Sequence, residues 1–84
     1  MTKKEFLETC NQAINEKKGI VVFLDIPGNE HYEHIANSAT DVKNKKDYYD
    51  KNYDDNMKHL NAPVTIVDII VFDVKINPKK IIKE

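Results

Sequence analysis

Apolar and polar positions alternate along this chain with three distinct rhythms. From Thr2 to Lys17 the apolar residues Phe6, Leu7, Cys10, Ala13 and Ile14 recur at helical spacing, with Lys4, Glu8, Asn11, Asn15 and Glu16 on the opposite side. Thr2 followed by Glu5 has the spacing of a capping box, so a first helix is predicted over about 2–17. Lys17 and Lys18 suit its negative end, and Gly19 is the residue expected to terminate it.

The rhythm then changes to that of a strand. Ile20 to Ile26 is β-branched and aromatic and too short for a helix, and Pro27-Gly28-Asn29 closes it with the residues of a tight turn. Tyr32, Glu33, His34 and Ile35 read as a shorter, more exposed return arm, which makes residues 20–36 a β-hairpin. From Thr40 to Leu60 the helical rhythm returns: Val42, Tyr49, Tyr53, Met57 and Leu60 form one stripe through a heavily charged run. Ser38 and Thr40 are the best-placed N-caps for this second helix, and Asn61-Ala62-Pro63 is expected to stop it.

A third strand is predicted from Val64 to about Val74, with Val64, Ile66, Ile70, Phe72 and Val74 on one face and Val67, Ile69 and Val71 on the other. Asn77-Pro78 separates it from a C-terminal tail, 77–84, leaving a single domain over 1–76. The fold class that follows is α+β in the order α-β-β-α-β, with two helices packed on one face of a small three-stranded sheet.

The first and third strands are apolar on both sides, whereas two helices cover only one face of a sheet. The chain is therefore expected to associate with itself, as a homodimer or larger homo-oligomer, through a sheet face or the tyrosine-rich helix. Docking of Ile81-Ile82 over the bare face is the alternative remedy.

Composition narrows the function. The net charge is −1 and all 13 basic residues are lysine, which removes both a global basic field and the bidentate arginine fork used to read bases. Sequence-specific DNA binding is not expected. No apolar run reaches membrane-spanning or signal-peptide length, and Cys10 stands alone as a core thiol, so the expected location is the cytoplasm, without membrane contact.

Candidate chemistry is sparse. There is no Ser-His or Cys-His pairing and no glycine-rich phosphate loop, so no enzymatic activity and no cofactor are expected. His31 and His34 are three apart in a predicted hairpin and point to opposite faces, so no metal is assigned to them. The aspartates and lysines between Lys43 and Lys58 alternate at helical steps and serve mainly to solvate and support the helix. Tyr48, Tyr49, Lys45 and Lys46 offer rings for stacking and ammonium groups for phosphate, although Tyr49 is also in register with the core stripe. Asp25, Asp68 and Asp73 interrupt apolar strands, where a carboxylate is costly unless it lines a pocket, a rim or an inter-subunit pair. The ligand-binding candidates are thus Tyr48, Lys45, Lys46, Tyr49, Asp25 and Asp68.

Val21-Val22-Phe23-Leu24-Asp25-Ile26-Pro27-Gly28, the later Lys46-Asp47-Tyr48-Tyr49-Asp50-Lys51-Asn52-Tyr53-Asp54-Asp55-Asn56-Met57 and the closing Val64-Thr65-Ile66-Val67-Asp68 together resemble a group of short proteins encoded by phages and mobile elements of Gram-positive bacteria. The resemblance spans about residues 20–74. Members typically have Leu near the position of Met57 and an Asn-Pro element before the helix, where this chain has Asn37-Ser38. The resemblance implies an accessory role against host defence. The first expectation is sequestration of a nucleotide-derived immune signal by a homo-oligomer. The alternatives are a protein-binding inhibitor of a host defence enzyme, comparable to anti-CRISPR proteins, and a structural or regulatory phage component.

Overall fold

In the computed structural model, which describes residues 1–73, the first helix α1 spans Lys3–Glu16 and is set by its cap. The Thr2 hydroxyl accepts the Glu5 backbone N–H at 3.2 Å, and the Glu5 carboxylate accepts the Thr2 backbone N–H at 3.0 Å. Two N–H groups that a helix start leaves without partners are thereby satisfied. Phe6, Cys10 and Ala13 on its inner side are fully buried. The stop differs from expectation. Lys17, not Gly19, takes the left-handed conformation (φ 56°), and Lys18 N–H closes the end on Ala13 C=O at 2.8 Å.

Gly19 is instead the first residue of strand β1, Gly19–Asp25. A Cβ there would sit 2.5 Å from the Asn37 carbonyl oxygen and 2.6 Å from the Phe72 ring, so glycine is kept for close packing rather than for a turn. Ile26 C=O accepts Asn29 N–H at 3.1 Å across the predicted turn, and Gly28 supplies the positive φ of 93°. The chain returns as β2, Glu33–Asn37, antiparallel to β1 and exposed at its first four residues. Strand β3, Thr65–Phe72, pairs antiparallel with the other side of β1, giving the order β2-β1-β3.

The alternation predicted for β3 is corrected by a bulge. Phe23 pairs with Asp68 but Leu24 pairs with Ile66, so Val67 is an extra residue. One unpaired residue reverses which side chains face inward. Ile66 and Ile69 therefore share the covered face, while Ile70 is 46% exposed on the other.

Helix α2 spans Val42–Asn52, about two turns shorter than the stripe implied. Its N-cap is Asp41, which makes no capping bond; the Ser38 hydroxyl lies 3.0 Å from that of Thr40 and donates to the Asp41 carboxylate at 3.1 Å. At the other end Tyr53 turns extended, and the Asp54 carboxylate accepts the backbone N–H groups of Asn56 (2.8 Å) and Lys58 (3.0 Å). These bonds offer the backbone an alternative to helix. Tyr53 and Met57 are still buried, brought inward by a turn in which Met57 adopts φ 60°, whereas Leu60 is 59% exposed. Met57 C=O accepts Ile66 N–H at 2.9 Å, which joins this turn to β3.

Both helices lie over the inner face. Phe6, Cys10, Ala13, Val42, Tyr49, Tyr53 and Met57 pack with Ile20, Val22, Leu24, Ile66 and Ile69 into one core. The molecule measures 35 × 31 × 17 Å, and its short dimension suits a slab of two layers. The predicted tail, 77–84, and the proposed docking of Ile81-Ile82 lie outside the described residues.

Candidate binding surfaces

The slab presents two surfaces on opposite sides. On the helical side, Tyr48 stands off the core register and is 46% exposed. The Lys45 ammonium sits 5.6 Å from its ring centroid, within cation–π range. Lys46 is half-buried. Tyr49 belongs elsewhere: it is 3% exposed, with the Phe6 ring at 5.1 Å and the Tyr53 ring at 5.6 Å. Burial raises its hydroxyl pKa, and a side-chain interaction with Asn37 works against that rise. A ring enclosed in this way is not available to a ligand, so Tyr49 is removed from the contact set.

On the sheet side, pairing places Val21, Phe23 and Asp25 of β1 on the face away from the helices, with Ala36 and His34 of β2 and Asp68, Ile70 and Phe72 of β3 beside them. Directly opposed residues of antiparallel strands share a face. Asp68 faces Phe23 and Asp25 faces Thr65, so the two carboxylates stand near one end of an apolar strip. The Asp68 carboxylate also accepts Ile69 N–H at 2.8 Å. His34 stacks obliquely beside Phe23, with ring centroids 6.3 Å apart.

The six candidate residues therefore do not converge within one chain. Lys45 and Tyr48 stand on the helical side, and Asp25 and Asp68 on the far side of the sheet. His31 lies in the loop before β2, apart from His34 on the strand. Among the described residues, no group of three His, Cys, Asp or Glu side chains is placed to hold a metal ion. Nor is any helix there long and apolar enough to cross a membrane.

The outer face was only half visible in the sequence. That the strands carry too much apolar surface was legible, but simple alternation put Ile70 and Phe72 with Ile66, and the bulge separates them. Asn37, 6% exposed and with its side chain toward the Tyr49 hydroxyl, carried no sequence signal. No protein-family model, no characterised protein and no solved structure matches the chain.

Proposed function

We propose that the protein is a non-enzymatic binding protein that acts by docking the outer face of its sheet on another protein. The observation that carries this reading is the outer strip of Ile70, 46% exposed, with the half-buried Val21, Phe23 and Phe72, ended by Asp25 and Asp68. An apolar centre with a polar edge is the arrangement from which protein interfaces draw most of their affinity. Through the resemblance to phage and mobile-element proteins, the partner is read as a host defence enzyme in the bacterial cytoplasm, blocked by occupancy; copies of the chain use the same face for self-association. The test is capture from host extract by the full chain and by its Ile70→Lys variant. Loss of a specifically bound protein with an unchanged circular dichroism spectrum supports the reading, and identical capture by both refutes it.

A second reading, sequestration of a nucleotide-derived signal, is favoured by the pairing of Lys45 with the exposed Tyr48 ring. The ring offers a stacking surface and the ammonium a phosphate contact. A ligand at about 100 times its Kd raises stability by about 2.7 kcal/mol, so cyclic or ADP-ribose-type nucleotides at micromolar levels are expected to raise the melting temperature under this reading. The rise should vanish in Tyr48→Ala. No rise in the wild-type chain removes this reading and leaves the first intact.

A further inference from the structure

We infer that the outer face of the sheet receives the Tyr48-centred side of α2 from a second copy of this chain, so that copies stack head to tail. The inference rests on the reading of that face as a docking surface and names its occupant. Charge supplies the first argument. The ionisable side chains that pairing places on the outer face are Asp25, Asp68 and His34; none of the chain's 13 lysines stands there among the described residues. In α2 the pattern is opposite. Lys45 and Lys51 flank Tyr48 at steps of three, with Asn44 and Asn52 completing that side; the carboxylate in line with it is that of the N-cap Asp41, which accepts the Ser38 hydroxyl.

Shape supplies the second. A seven-residue strand is about 23 Å long and three strands about 14 Å wide, while an eleven-residue helix is about 16 Å long and about 10 Å across, so α2 fits the face in length and width. Helices already cover the inner face of this sheet, and strands apolar on both sides are ordinarily covered on both. The phenol of Tyr48 and the methylene stems of the lysines would lie on Phe23 and Ile70, with the ammonium groups reaching toward Asp25 and Asp68. Pairing two identical sheets face to face brings no lysine from the described part of either face to those carboxylates, only His34.

The two surfaces stand on opposite sides of the slab, so one copy cannot satisfy itself. Each copy offers one donor and one acceptor, a heterologous contact that propagates into a chain of subunits or closes as a ring. The contact would also shield the outer face until a foreign partner displaces it.

The experiment mixes two full-length variants, Ile70→Lys on the acceptor face and Tyr48→Glu on the donor helix, each first checked for native circular dichroism. Mass is read by sedimentation and light scattering at high concentration. Head-to-tail stacking predicts that the wild type assembles, that each variant alone stays at 9.8 kDa, and that an equimolar mixture gives a particle of twice that mass through the one intact contact. If Tyr48→Glu assembles like the wild type while Ile70→Lys does not, the contact is face to face; the inference falls and the docking surface stands. A strictly monomeric wild type also overturns the inference, leaving the face to a foreign partner. Assembly unchanged in both variants overturns the inference too, and host-extract capture undiminished by Ile70→Lys then removes the docking surface.

Discussion

Phe6 and Tyr49 meet edge to face, with ring centroids 5.1 Å apart and planes at 77°, and this contact joins α1 to α2 above the sheet. Truncating a buried aromatic costs about 3–5 kcal/mol, whereas a change at a surface position usually stays within about 0.5 kcal/mol. Tyr49→Ala is therefore expected to lose most of the stability of so small a domain, and Tyr48→Ala almost none. Urea denaturation of the two variants makes the comparison; similar midpoints would contradict the placement of Tyr49 in the core.

The bulge at Val67 sets the fates of two adjacent isoleucines. Ile69, 6% exposed, is expected to cost about 2–5 kcal/mol on replacement by Ala, while Ile70→Ala should cost little. Equal or reversed losses in the unfolding midpoint would restore simple alternation along β3.

At the start of α1, Thr2→Ala removes the hydroxyl that caps Glu5 N–H. A loss of about 1 kcal/mol is expected, seen as a fall in melting temperature of about 4–8 °C. The bond from the Thr2 backbone and that from its hydroxyl hold the Glu5 carboxyl below its usual pKa. The stability linked to that shift is present above the ordinary carboxylate range and is lost as pH falls through the depressed value. Thr2→Ala should accordingly flatten the acid limb of the stability curve.

Alkaline pH is expected to destabilise the fold. Burial pushes the Cys10 thiol from 9.0 up to about 11, against a smaller opposing effect of Lys46, and pushes the Tyr53 hydroxyl from 10.0 up to about 12. The native state holds these groups protonated where the unfolded chain has begun to release them, so stability is intact below about pH 9 and declines as pH rises toward the native values. Native protein at pH 8 should react with a thiol-specific disulfide reagent far more slowly than protein in urea. Equal rates would place Cys10 outside the core.

How much of this was legible depended on whether one residue type or a local competition decided the outcome. The capping box, the turn at Gly28 and the run from Ile20 to Leu24 each rest on a strong local preference, and the structure bears them out. The end of α2 rested on a contest. The stripe of Tyr49, Tyr53 and Met57 favoured continued helix, but Asp54, Asp55 and Asn56 are turn formers, and the Asp54 carboxylate took the backbone N–H groups instead. Burial was read correctly for Tyr49, Tyr53 and Met57, but Leu60, placed in the same stripe, is exposed, and the element itself ends at Asn52. The two candidate surfaces were legible as residue types, but their separation on opposite sides of the slab required the register of β3, which the bulge concealed.

The middle position of β1 in the sheet also dictates a timetable. Its hairpin with β2 is local and forms early, whereas its other edge waits for residues 65–72, which are made late. During synthesis, α1 and the hairpin emerge well before the strand that completes their floor. Until then Val22 and Ile20 lack their partners Ile69 and Val71, and the apolar side of the nascent hairpin is left open to water.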